Sequence, residues 1–175
     1  MRLKIVLLGF MGSGKSTIGR LLSERLEVPF LDLDEEIIRK TELSIPEIFS
    51  SLGEEKFREI ERETLTGLLS KPGSLVISTG GGVPAYKDNM ELINKNSISI
   101  YLKADFEKLW ERISKDGNRP LVAAGKEKVR KLFERRIPFY ERADIVVRTD
   151  SQTPEETIDE ILKKLNSFPD FLKVY

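Results

Sequence analysis

The octet Gly9-Phe10-Met11-Gly12-Ser13-Gly14-Lys15-Ser16 constrains this chain more than any other feature. It fits the pattern G-x-x-x-x-G-K-[ST], and its flanks are those the pattern requires. Residues 3–8 before it are a short apolar run, which predicts a strand buried on both faces. Beyond it Ile18, Leu21, Leu22 and Leu26 recur at helical spacing, which predicts a helix over 15–26. A strand, a glycine-rich turn and a helix start make a cradle for phosphate. Glycines let the backbone wrap an anion, and the N–H groups at the helix terminus present positive charge to it. In such a loop the Lys15 ammonium reaches the β- and γ-phosphates and the Ser16 hydroxyl ligates Mg²⁺.

The rest of the chain alternates between two periods. Short apolar runs at 30–33, 75–78, 98–102 and 145–147 predict four more strands. Between them, helices are predicted at 34–40, 54–69, 106–114 and 126–140. Ser44-Ile45-Pro46-Glu47 and Thr153-Pro154-Glu155-Glu156 are capping boxes with proline in the first turn. Each opens a further helix, the second running to about residue 165. Residues 116–125 contain glycine and have weak periodicity, so they predict a mobile loop; the tail from 167 has no clear pattern. Strands alternating with helices imply a five-stranded parallel sheet covered on both faces. The expectation is one three-layer α/β/α domain over 1–175, without repeat or linker.

Composition narrows the chemistry. With 29 basic and 29 acidic residues, no global charge draws the chain to nucleic acid or to an anionic membrane. No apolar run approaches the ~18 residues that span a bilayer, and residues 1–8 are too short for a signal peptide. A cytoplasmic location is expected, and no heptad or apolar stripe argues against a monomer. Cysteine and histidine are both absent. That removes thiol chemistry, the commonest general base and the commonest transition-metal ligand. Catalysis must use Asp, Glu, Lys, Arg, Ser or Thr, and the metal chemistry left is that of a hard cation such as Mg²⁺.

Several residues then stand out. Asp32-Leu33-Asp34 ends the second predicted strand, where ligands of open α/β sheets bind. At alternate strand positions the two carboxylates point the same way. One suits a Mg²⁺ shell, the other a substrate hydroxyl; the same run is also good helix-capping chemistry. Gly80-Gly81-Gly82 follows the third strand, either for close approach of a ligand or as a plain turn, and Ser78 just before it is placed to meet the water shell of Mg²⁺. Arg58 with Glu61 has the spacing of an ordinary surface ion pair. Arg119 lies in the predicted loop, and Arg136 precedes Ile137-Pro138-Phe139-Tyr140.

In order and spacing, the octet with Thr17, Asp32-Leu33-Asp34, Phe57-Arg58 with Glu61, Gly80-Gly81-Gly82, Arg119-Pro120-Leu121 and Arg136-x-Pro-x-Tyr140 resemble shikimate kinases. These belong to the nucleoside-monophosphate-kinase branch of P-loop proteins. The similarity runs from the first strand to about residue 165. It implies the P-loop NTPase fold with a lid over about 112–124 and a substrate-binding helical region over about 34–61. It implies that Gly12, Ser13, Gly14, Lys15, Ser16 and Thr17 hold the phosphates of ATP, the co-substrate. Asp34, Arg58, Gly80, Gly81, Gly82 and Arg136 would hold shikimate, the two arginines on its carboxylate and Asp34 as base. Ser16 and Asp32 would serve Mg²⁺. Arg119 would be the lid arginine, Arg112 would stack on adenine, and Gln152 to Pro154 would form the far side of that slot. The implied reaction is transfer of the γ-phosphate to the 3-hydroxyl of shikimate, a step towards chorismate. Rival expectations are a gluconate or nucleotide kinase of the same branch and a silent nucleotide-binding module.

Overall fold

The structure, a computed structural model, describes residues 3–116 and 120–174. Five strands form one parallel sheet: β1 (Lys4–Leu8), β2 (Phe30–Asp32), β3 (Leu75–Ser78), β4 (Ile98–Lys103) and β5 (Ile145–Arg148). Their spatial order is β2-β3-β1-β4-β5, so the first strand lies at the centre. All five residues of β1 are buried, which accounts for its unbroken apolar run. Val6 and Leu8 pack into one core, and Ile5 and Leu7 into the other.

Helices cover both faces. On the Leu7 side lie α1 (Lys15–Leu26) and α8 (Pro154–Leu165), presenting Ile18, Leu22, Ile158 and Ile161. On the Val6 side lie α2 (Leu33–Thr41), α3 (Ile45–Ser70), α4 (Asn89–Asn96), α5 (Phe106–Ser114) and α7 (Lys126–Tyr140). The expected three-layer α/β/α architecture is the observed one. Register does the positioning: Leu7 of β1 pairs with Ser78, and Asp32 of β2 also pairs with Ser78. The carboxyl ends of β1, β3 and β2 therefore open side by side.

Both capping boxes form. Ser44 N donates to Glu47 Oε2 at 2.7 Å, and Thr153 N donates to Glu156 Oε2 at 2.8 Å. The helix opened by Ser44 and the one predicted at 54–69 are two arms of α3, joined at Gly53. There φ is 82° and ψ is 167°, so the helix breaks where only glycine turns cheaply. Other expectations need correction. The second strand ends at Asp32, because that residue caps α2 and Leu33 already belongs to the helix. The segment expected to be a loop contains a helical turn, α6 (Pro120–Ala123), started by proline. The patternless tail holds α9 (Pro169–Leu172), anchored by buried Phe171 in the Leu7-side core. A 3₁₀ turn at Val83–Ala85 and α4 carried no strong periodic signal.

Gly19 sets how closely α1 approaches the sheet. A Cβ there would lie 2.3 Å from the Phe30 ring and 3.2 Å from the Leu7 side chain. Gly19→Val should overpack this contact and lower stability by about 1–3 kcal/mol. Denaturant unfolding measures it, and wild-type stability in the variant would show that α1 is free to shift outward.

Candidate active site

The phosphate loop joins β1 to α1 as the octet predicts. Gly12 and Gly14 have φ of 81° and 92°, the left-handed region that glycine tolerates. Gly12 is also excluded sterically from carrying a side chain, since a Cβ would sit 2.8 Å from Ile113 Cγ2. The Lys15 ammonium lies back over the loop, donating to Gly9 O at 2.8 Å and Phe10 O at 3.0 Å. The Ser16 hydroxyl donates to Asp32 Oδ2 at 3.0 Å. Asp32 uses its other oxygen to accept from Asp34 N at 3.0 Å and Glu35 N at 3.4 Å. One carboxylate thus caps α2, as the capping reading of the Asp32-Leu33-Asp34 run expects, and turns its other oxygen to the loop. Asp34 stands in the first turn of α2, not at an alternate strand position. It nevertheless lines the same cavity of about 430 Å³ as Lys15, Ser16, Asp32, Ser78 and Gly80.

Next to this cradle is a cavity of about 590 Å³ between α3 and α7, lined by Arg58, Gly82, Arg135 and Arg136 among others. The glycine triplet is the wall between the two. A Cβ on Gly81 would lie 3.2 Å from Arg136 Nη1, and one on Gly82 would lie 2.6 Å from the Arg58 guanidinium nitrogens. A Cβ on Gly80 would lie 3.2 Å from Glu61 Oε1 and 3.5 Å from Asp34 Oδ1. All three glycines are pressed against charged side chains, which a simple flexible turn does not require. Arg58 Nη1 donates to Glu61 Oε2 at 2.6 Å, and Glu61 is only 2% exposed. This is not the solvated surface pair that i,i+3 spacing suggested. The Arg136 guanidinium lies over the Phe10 ring at 5.7 Å, and the Tyr140 hydroxyl donates to Gly81 O at 2.6 Å.

On the opposite side of the loop a smaller cavity, of about 260 Å³, brings together Gly12, Thr17, Arg112, Gln152 and Pro154. Arg112 Nη1 donates to Gly12 O at 2.9 Å. Thr149, not singled out in the sequence, donates its hydroxyl to Ser13 O at 3.2 Å and ties the end of β5 to the loop. Phe10 and Tyr140 were likewise present in the motifs without an assigned task, and only the fold shows them bracing Arg136. Arg119 lies outside the described residues.

The site shifts its own acids. Burial raises the Asp34 carboxyl above the ordinary range, and the Asp32 charge adds to this, against the pull of Lys15 and Arg58. Burial pushes Glu61 up to about 7, outweighing its ion pair with Arg58. Arg136 is lowered by burial, with Tyr140 acting in the opposite direction.

A family model described as shikimate kinase matches residues 11–166. The chain is 41% identical to the shikimate kinase of Sulfurihydrogenibium sp. (strain YO3AOP1) over 161 residues, covering 92% of this chain and 96% of that protein. The crystal structure of the Aquifex aeolicus enzyme is 41% identical with a TM-score of 0.81, covering 94% of this chain and 97% of that one. The structure of the Acinetobacter baumannii shikimate kinase in complex with shikimate is 38% identical with a TM-score of 0.88, covering 95% and 94%.

The raised Glu61 has a consequence for stability. Its folded pKa of about 7 lies above the model-peptide value of 4.5, so between these pH values the native state holds a proton that the unfolded chain has released. Stability conferred through Glu61 is therefore fully present below about pH 4.5 and is lost as pH rises to about 7. Relative to Glu61→Gln, the wild type should lose stability between pH 5 and 7 in denaturant unfolding. Parallel profiles for the two proteins would show that Glu61 is ionised throughout.

Proposed function

The chain belongs to the shikimate kinase family, and we propose that its two larger cavities are the shikimate and Mg-ATP phosphate sites of one in-line phosphoryl transfer. The enzyme is an ATP-dependent kinase that phosphorylates the 3-hydroxyl of shikimate, giving 3-phosphoshikimate and ADP. The observation that best supports the proposed site is the meeting of Arg58 and Arg136 at Gly81-Gly82, against the wall of the phosphate cradle. Two forked, permanently charged donors suit a carboxylate. A cyclic hydroxy acid held there by its carboxylate would direct a hydroxyl across Gly80 towards Asp34 and the γ-phosphate.

Asp34 would accept the hydroxyl proton as the new O–P bond forms and the bond to the β-phosphate oxygen breaks. Its raised pKa brings it nearer the working pH, as a general base needs. Lys15 would exchange the carbonyls of Gly9 and Phe10 for phosphate oxygens. Backbone N–H groups of residues 12–17 would hold the β-phosphate. Arg119, on a lid over about 116–124, would close on the transferring phosphoryl group and help exclude water. Arg112 on one side and Gln152 with Pro154 on the other would hold adenine in the smaller cavity.

Ser16 Oγ and Asp32 Oδ2, 3.0 Å apart at the cradle, fit a hard cation that takes few protein oxygens and completes its shell with phosphate and water. Among the described residues no cluster of three acidic ligands offers a closed cage. Ser16 and Asp32 would hold Mg²⁺ there, and the cation would supply neutralisation of phosphate charge. Among the described residues no helix is long and apolar enough to cross a membrane. The proposed setting is a cytoplasmic monomer acting on two small molecules, without nucleic acid.

ADP release from Mg-ATP, compared across shikimate, quinate, gluconate, AMP and no acceptor, tests the substrate. Turnover should require shikimate and fall by roughly 10²–10⁴-fold in Asp34→Asn. Turnover with gluconate or AMP instead would leave a kinase of the same branch with another acceptor. Arg136→Ala should cost about 2–5 kcal/mol of shikimate binding while leaving ATP binding near wild type. Equal weakening of both ligands would remove the carboxylate role.

A further inference from the structure

The acid cavity holds a third arginine. Arg135 lines it together with Arg58 and Arg136. Leu132, Arg135, Arg136 and Phe139 occupy one face of α7, because residues three and four apart on a helix share a side. Leu132 and Phe139, three residues before and four after, share that face with Arg135. Arg135 is exposed, whereas Leu132, Arg136 and Phe139 are half-buried. It makes no side-chain hydrogen bond or ion pair with any described residue. Arg58 is committed to Glu61, and Arg136 packs over Phe10.

The charges facing the cavity show what Arg135 changes. Three arginines stand against Glu54 and Glu55, a net charge of +1. Glu55 accepts from the Tyr86 hydroxyl at 2.7 Å, and Glu54 lies 3.8 Å from Arg58. Both acids are well exposed, at 71%, so an incoming anion meets them at the cavity mouth. Without Arg135 the lining charge is zero; Glu54 lies against Arg58, and Glu55 also lies 4.0 Å from Lys87. Resting on the acid-pocket assignment above, we propose that Arg135 is the capture residue of the active site. It draws the substrate carboxylate past Glu54 and Glu55 and hands it to Arg58 and Arg136, without itself anchoring the bound acid.

Capture and anchoring differ in their response to salt. Attraction by an exposed charge fades as the Debye length falls from about 30 Å at 0.01 M to about 3 Å at 1 M. A buried anchoring contact is screened much less. Steady-state kinetics of Arg135→Gln, Arg135→Lys and the wild type at about 0.02 M and 0.5 M salt separate the two. At low salt Arg135→Gln should show a KM for shikimate raised about 3- to 10-fold, with kcat and the KM for ATP near wild type. The difference should shrink to less than about 2-fold at high salt, and Arg135→Lys should behave as wild type throughout. A defect of the same size at both salts, a defect in kcat, or no defect at low salt would overturn the capture role. A wild-type enzyme that turns over no shikimate would instead remove the acid-pocket assignment on which it rests.

Discussion

The parallel register that sets Leu7, Ser78 and Asp32 side by side is the constraint on which the active site depends. With β1 central, the phosphate loop leaves the sheet between β3 and β4. The glycine triplet leaves β3 immediately beside it, and Asp32 ends β2 one strand further out. That order brings the Ser16 hydroxyl within 3.0 Å of Asp32 Oδ2. The same backbone bonds that build the sheet also place Ser16, Asp32, Asp34 and the phosphate loop around one cavity.

Around that edge, charged side chains are held by burial and by close backbone contact. Arg58 is fixed by a carboxylate that is itself almost wholly enclosed, and its guanidinium lies where a side chain on Gly82 would have to stand. Such a buried pair is weak evidence of net stability, since desolvation can match the Coulombic gain. Its effect is geometric: it sets the fork of Arg58 against the triplet, opposite Arg136. Phe10 contributes on both sides of this arrangement. Its backbone carbonyl holds Lys15, and its ring lies under Arg136. Phe10 thus joins the glycine-rich loop to the cavity lined by Arg58 and Arg136.

Much of this was legible in the sequence because it rests on local rules. The octet, the two capping boxes and the apolar strands each carry their own signal within a few residues. What stayed hidden depends on contacts between distant segments. The spacing of Arg58 and Glu61 is that of countless surface pairs, and only the packing of α3 against the triplet shows Glu61 enclosed. Thr149 lies 136 positions from Ser13 and has no motif around it. The end of the second strand was misplaced by one residue because an aspartate that finishes a strand and one that caps a helix look alike. The helical turn at Pro120–Ala123 and the short α9 are too brief for periodicity to register.

A chain without histidine must obtain a base near neutral pH by other means, and the proposed base, Asp34, sits in surroundings that move it that way. An isolated aspartate is far too acidic to take a proton from an alcohol at pH 7 with much driving force. Enclosure and a neighbouring carboxylate both move Asp34 in the useful direction. Lys15 and Arg58 pull against this rise and limit it. If Lys15 turned to the phosphates, as proposed, its charge would be shared with an anion and its hold on Asp34 would weaken. Nucleotide binding would then raise the basicity of Asp34 at the moment the base is needed, coupling the two halves of the site through a single ammonium group.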